Sequence, residues 1–389
     1  MYPSVVASRH PTSRTSPPST ATHAESGQLP AQPVRAARAS PLCNVGGRVF
    51  VGGAFTVSSV NYDNISHMPY NLDNRLVIGV ASSALFDLTE SDAVFKEGGE
   101  DAYRDHQERY LNTALGPGVA FPFIRRLLQL NRLSPGTTDP LVEVVIMSRN
   151  DPETGLRVMN SVAHHGLAIT RAIFRAGRSP YEFIPALNIS LYLSADEAAV
   201  RAAVEAGYPA GLVLDSTAED EDDDDLRIAF DFDGVLTDDS AEQVFQRTQD
   251  LGAFHANESE HVGETLPEGL LLPFLRALSR IQQAERALLD EDTDYRKRLF
   301  VSIVTARNAP SHERVIRSLK EWQVTVDDAF FLGGIEKGLI MQVLRPHIFF
   351  DDQKLHLDGT AKFAPSVHIP FGALNQKSAA VQEASNDSV

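Results

Sequence analysis

The hydrophobic pattern divides the chain at about residue 70. Beyond that point, short apolar runs of strand length alternate with segments whose apolar residues recur every three or four positions. The runs are LVIGVASSALF at 76–86, which reads as a strand and a turn, VEVVIMS at 142–148, RAIF at 171–174, ISLYLS at 189–194 and GLVLD at 211–215. Between them, 91–110 is polar and helical in pattern, AFPFIRRLLQLNRL at 120–133 carries a helical apolar face, and a further helix is expected around 154–166. The pattern continues through LRIAF at 226–230, FVSIVT at 300–305 and HIFF at 347–350. Unbroken apolar runs suit strands covered on both faces, so the alternation predicts a mostly parallel sheet flanked by helices.

The second half of this pattern repeats the first. Adding 157 to a position brings Val144 and Ile146 onto Val301 and Ile303, Arg157 and Ser161 onto Arg314 and Ser318, and Phe174 and Gly177 onto Phe331 and Gly334. Upstream the offset is 150 to 151, which brings Pro122 and Phe123 onto Pro273 and Phe274. A period this long implies two domain-sized copies rather than a solenoid.

Residues before about 70 follow another rule. They are rich in Ser, Pro, Ala and Thr, and up to Arg48 they hold five arginines and a single acid, Glu25. A transit peptide has that composition. An extension without a fold, with Met68 as an alternative start, is the preferred expectation. The net charge of −17 argues against a nucleic-acid polymer as partner. The single cysteine, Cys43, excludes an internal disulfide or a cysteine-cluster metal site, and no apolar run is long enough to span a membrane. The acidic run EDEDDDD at 219–225 is expected to be a solvated linker, because like charges repel.

The two copies differ in their charges. After LRIAF come Asp231 and Asp233, two residues apart at a strand's carboxyl end, with Gly234 allowing a sharp turn. The corresponding residues in the first copy are Ala81 and Ser83. Thr305 corresponds to Ser148, Lys337 to Pro180, and the pair Asp351 and Asp352 to Ser194 and Ala195. Ligands of open parallel sheets bind outside the carboxyl ends of the strands. Two carboxylates about 4 Å apart there repel by roughly 4 kcal/mol at an effective dielectric near 20, which a hard cation such as Mg²⁺ would offset. Taken singly, Thr305 reads as a strand end and Lys337 as a surface lysine; their joint loss from the first copy favours chemistry.

This set of Asp231-Phe232-Asp233-Gly234-Val235, Thr305, Lys337 and Asp351-Asp352 resembles the four motifs of the haloacid dehalogenase superfamily. The longer stretches SRNDPETGLRVMNSVAHHGLAITRAIFRAGRSPY at 148–181 and LRPHIFFDDQ at 344–353 resemble the cytosolic 5′-nucleotidase type I family, over roughly 70–375. One departure is in the first motif, where Phe232 and Gly234 stand in place of that family's glycine and alanine. The resemblance implies tandem Rossmann-like units with mostly parallel sheets and a helical cap inserted in the second. It implies a Mg²⁺-dependent hydrolase of nucleoside 5′-monophosphates such as AMP or IMP. Asp231 would be the nucleophile and Asp233 the acid and base. Thr305, Ala306, Arg307 and Lys337 would bind the substrate, and Asp231, Asp233, Asp351 and Asp352 would hold the metal. A cytoplasmic location, an ADP or ATP effector and a homo-oligomer are further implications. The alternatives are a phosphatase of another small ester, such as a sugar phosphate, and a nucleotide-binding protein without turnover.

The expected map is an extension at 1–70, a non-catalytic unit at 71–218, the acidic linker at 219–225, a catalytic unit at 226–375 and a tail at 376–389. A cap is expected at about 238–298, where Phe245, Phe254, His255 and Asn257 could face a base. In the first unit Asn150, Asp151, Arg157, Arg178, Ser179 and Tyr181 are candidate nucleotide contacts.

Overall fold

Each apolar run of the pattern becomes a strand, and in the computed structural model the strands join into a single sheet. The structure describes residues 70–375 except 135–138, 222, 249 and 373–374, so the expected extension up to residue 69 and the tail lie outside the described residues. The strands are β1 (Leu76–Val80), β2 (Val142–Ser148), β3 (Arg171–Phe174), β4 (Leu191–Ser194), β5 (Ala210–Val213), β6 (Leu226–Phe230), β7 (Leu299–Thr305), β8 (Asp328–Phe331), β9 (Ile348–Asp351) and β10 (Ser366–His368). Their order is β3-β2-β1-β4-β5-β10-β9-β6-β7-β8. Read outward from the centre, β10-β9-β6-β7-β8 follows the same sequence of connections as β5-β4-β1-β2-β3.

Pairing is parallel within each half and antiparallel at the β5–β10 seam, where Val213 faces Val367 and Leu212 faces His368. Across the seam Ser194, Leu212, His368 and Asp351 lie in one row. β10 is not anticipated by the sequence pattern. It is three residues long and holds only one apolar residue, Val367, too little for a periodic signal. The outer strands β3 and β8 are half-exposed and begin with the charged residues Arg171 and Asp328, which discourages pairing with a further chain.

The halves also share a core. The helix Phe121–Gln129 packs against β6, and the helix Leu272–Glu291 packs against β1, so each half's helix reaches the central strand of the other. Both helices carry proline in the first turn, where a missing N–H costs nothing. Phe230 stacks on Phe350 at 5.1 Å between centroids and meets Phe274 at 5.8 Å, with all three rings fully buried. Buried aromatic pairs of this geometry add about 0.5–1.5 kcal/mol beyond their area.

Two expectations need correction. The span 238–298 is too long for a cap: the helices Ser240–Thr248 and Leu251–Glu260 lie in it, but Leu272–Glu291 belongs to the core, with Leu272, Phe274, Leu275 and Leu278 fully buried. The acidic run joins β5 to β6 without helix or strand and is exposed or half-exposed where described, as a linker would be, but its charges are paired rather than left to repel one another. Asp220 pairs with Arg125 and Arg126, Glu221 with Arg227 and Arg345, and Asp223 with Arg126 and Arg227. Arg227 follows directly in sequence, but Arg125, Arg126 and Arg345 come from distant segments, which a local charge count could not reveal. No described helix is long and apolar enough to cross a membrane.

Candidate active site

β6 ends at Phe230, but its ladder runs one step further: the Asp231 N–H donates to the Phe350 carbonyl at 2.7 Å. This sets Asp231 beside Asp351 at the end of β9. Gly234 then turns the chain with φ at +72°. A Cβ there would stand 2.6 Å from the Asp352 carboxyl carbon, so only glycine lets that carboxylate lie against the turn. Lys337 opens the helix Lys337–Leu344. Its Nζ lies 2.7 Å from Asp231 Oδ2 and 2.7 Å from Asp351 Oδ2. Two aspartates from different strands, one of them 14 residues from Lys337, thus meet at one buried ammonium.

The remaining carboxylate oxygens are not equally served. Asp231 Oδ1 accepts the Phe232 N–H at 2.7 Å. Asp351 accepts the Gln353 N–H at 2.8 Å and faces His356 Nδ1 at 3.2 Å. Asp352 is as buried as Lys337, and its Oδ1 has no hydrogen-bond partner among the described residues. Burial pushes Asp231 up to about 7, Lys337 opposing and Asp351 adding to the rise. Burial, then the charges of Asp231 and Asp351, raise Asp352 well above the ordinary carboxylate range. Burial acts on Asp351 in the same sense, but Lys337 and His356 outweigh it and hold Asp351 low. Two buried carboxylates, Asp231 and Asp351, therefore share one ammonium, and a third beside them, Asp352, keeps an orphan oxygen among the described residues. Such an all-oxygen, anionic donor set fits a hard divalent cation. Asp231, Asp351 and His356 also offer atoms within 4.8 Å of one another. Of the two acids at the end of β9, however, Asp352 has the unused oxygen.

Asp233 points elsewhere. Both its oxygens accept from Arg307, from Nε at 2.7 Å and from the second terminal nitrogen at 2.7 Å. The other side of that guanidinium donates to Glu258, on the helix Leu251–Glu260, and Glu258 also accepts from Arg314 at 2.8 Å. Burial opposes the Arg307 charge, yet Asp233 and Glu258 together push its pKa further up. Arg307 further lies over the rings of Phe254 and Phe232, at 5.5 and 5.6 Å. Thr305, at the end of β7, is buried, and its hydroxyl accepts the Arg307 N–H at 3.2 Å. Ala306 is exposed.

The structure thus brings Asp231, Lys337, Asp351 and Asp352 into one cluster, with Asp233 and Arg307 as a second pair beside it. Glu258, Arg314 and His356 were missed. A lone glutamate on a helix gives no local signal, since its partners lie 49 and 56 residues away. Of the cap candidates, Phe254 is buried under Arg307, His255 bonds Asn308 at 2.8 Å, and Asn257 is half-buried, its carbonyl accepting from His261. The Phe245 side chain lies outside the described residues. In the first half Arg157 is a buried scaffold residue, donating to Gln107 and to the Thr113 carbonyl.

Comparison with known proteins bears on this geometry. A family model described as 5′-nucleotidase matches residues 68–376. Cytosolic 5′-nucleotidase 1B of Homo sapiens is 33% identical over 300 residues, which cover 74% of this chain and 48% of that protein. The chain therefore spans about half the length of that curated relative. No solved structure matches it.

Proposed function

The chain belongs to the cytosolic 5′-nucleotidase type I family, and from that premise we propose that it is a Mg²⁺-dependent hydrolase of nucleoside 5′-monophosphates, AMP or IMP first among them. The observation that carries the proposal is the buried Asp231–Lys337–Asp351 cluster beside the orphan oxygen of Asp352. On this reading the two halves are tandem haloacid dehalogenase-like units, and only the second is catalytic.

Asp231 attacks the phosphorus, and the ribose oxygen leaves as the aspartyl-phosphate forms. Lys337 holds the attacking carboxylate in place and meets the phosphoryl oxygens with positive charge. Thr305 offers its hydroxyl to one of those oxygens. Asp233 delivers a proton to the leaving oxygen and later takes one from the attacking water. To do so it must part from Arg307, whose guanidinium is drawn to the entering phosphate. Asp231, Asp352 and the Asp233 backbone carbonyl would hold Mg²⁺. The ion supplies neutralisation of the repulsion between carboxylate and phosphate.

The test is phosphate release from a panel of nucleoside and sugar monophosphates, with and without Mg²⁺, for wild type and Asp231→Asn. Mg²⁺-dependent release from AMP or IMP that is lost in Asp231→Asn is the expected result. Preference for sugar phosphates would replace the substrate assignment. Equal, negligible release by both proteins would leave a binding protein without turnover.

A further inference from the structure

The first half keeps a cavity at the carboxyl ends of β1, β2 and β4, the edge where the second half gathers its charges. Its volume is about 500 Å³, within the range of small-molecule sites. The catalytic charges are gone from it. Ala81 and Ser83, the counterparts of Asp231 and Asp233, line it after β1, Ser194 stands in place of Asp351, and the hydroxyls of Ser82 and Ser148 bond each other at 2.9 Å.

We propose that this cavity is a binding site for an uncharged nucleoside. The charge around it argues against a phosphate. Asp92, Glu100, Asp151 and Asp196 line it, and Arg149 is the basic side chain among the described lining residues. Arg149 is already engaged, donating to Asp196 at 2.6 Å and to the Gly177 carbonyl at 2.9 Å. Arg104, outside the lining, pairs with Glu100 at 2.8 Å and Asp151 at 2.9 Å, so both arginines at the cavity are engaged by carboxylates; the four acids outnumber them, and a dianion would meet net negative charge. A neutral heterocycle with a sugar meets the opposite: Phe95, more than half exposed at 52%, offers a ring face at the mouth, fixed edge-on against Tyr103 at 5.9 Å. The Tyr103 hydroxyl and Asn150 bond each other at 3.0 Å, and Asn150 in turn holds Ser148, a preset polar floor for base edges. The exposed Asp92 carboxylate lines the cavity and suits sugar hydroxyls, as acidic residues do in dinucleotide sites. Of the candidate first-unit contacts, Asn150 and Asp151 line the cavity, whereas Arg178, Ser179 and Tyr181 do not.

The choice of a nucleoside rests on the nucleotidase reading, because that reaction releases one; the cavity and its charge do not depend on it. The experiment is calorimetric titration of the full chain with adenosine, inosine and orthophosphate, without Mg²⁺. Wild type, Phe95→Ala, Ala195→Trp and Lys337→Met are compared. Adenosine or inosine is expected to bind wild type. Phe95→Ala should weaken binding about tenfold through lost stacking. Ala195→Trp, which fills the cavity from its rim, should abolish it, and Lys337→Met should change it less than about twofold. No nucleoside heat at about 1 mM ligand would overturn the site. So would loss of binding in Lys337→Met with retention in Phe95→Ala and Ala195→Trp, which places the nucleoside in the second half. Orthophosphate binding that Ala195→Trp removes would overturn the charge argument. Phosphate release by Phe95→Ala, measured with Mg²⁺, reports on the catalytic reading separately and is expected at wild-type level.

Discussion

Glu258 and Asp233 hold opposite sides of one guanidinium, that of Arg307. The helix Leu251–Glu260 is thereby tied to the turn that follows β6, through a buried Glu258 and Arg307 and a half-buried Asp233. Removing one partner of a buried ion pair leaves the other charge uncompensated, at a cost of about 3–5 kcal/mol. Glu258→Ala should therefore destabilise the fold by about that amount, read as a lower urea midpoint. If the midpoint is unchanged, the triad of Glu258, Arg307 and Arg314 carries no structural weight.

Lys337→Met keeps the side chain's bulk but removes its charge from between Asp231 and Asp351. On the proposed mechanism, phosphate release should fall by at least about 10²-fold, the usual effect of losing one preorganised charge donor. Stopped-assay turnover of AMP at saturating Mg²⁺ measures it. Retention of more than about a tenth of the rate would show that Lys337 serves packing rather than chemistry.

The orphan oxygen of Asp352 makes a ligand-linked prediction. A cation that binds only the folded state raises the melting temperature with concentration. Mg²⁺ should do so in wild type and much less in Asp352→Asn. Gly234→Ala should behave like Asp352→Asn, because its Cβ would collide with that carboxylate. A Mg²⁺ shift lost in Asp351→Asn but kept in Asp352→Asn would assign the ligand to the other aspartate.

His347 gives a pH dependence outside the site. It lies under β6, where its Nδ1 accepts the Arg227 N–H at 3.0 Å. Burial, with Arg126 and Arg227 nearby, lowers its pKa to about 3. The folded state therefore keeps His347 neutral while the unfolded chain takes up a proton below about 6.5. The unfolded state binds more protons in that window, so this contribution is full above about 6.5 and is lost as pH falls toward 3. Asp231, raised to about 7, acts in the opposite sense, so the comparison must be between proteins. Between pH 6.5 and 4, urea unfolding of His347→Asn, whose amide oxygen can replace Nδ1, should lose less stability than wild type. Parallel curves would refute the assignment.

Much of this was legible because the signals were local or repeated. VEVVIMS at 142–148 marks β2 to the residue, and RAIF at 171–174 marks β3. The contrast of Asp231, Lys337 and Asp351 with Ala81, Pro180 and Ser194 singled out the cluster before any geometry was known. What escaped depends on contacts across the chain. Glu258 meets Arg307 only through folding, Asp220 and Asp223 are neutralised by Arg126 from 94 and 97 residues away, and β10 is too short to announce itself. The placement of Leu272–Glu291 in the core was open to a reader who trusted the correspondence of Pro273 with Pro122.

The antiparallel seam implies that each half needs the other to complete its sheet. Cut between residues 213 and 226, each fragment would carry a bare flank of backbone N–H and C=O groups, β5 on one and β10 on the other. Each would also lose the foreign helix that covers its central strand. The first half is thus the cover for the second's open border, and the two fragments produced separately should clump with themselves unless co-expressed.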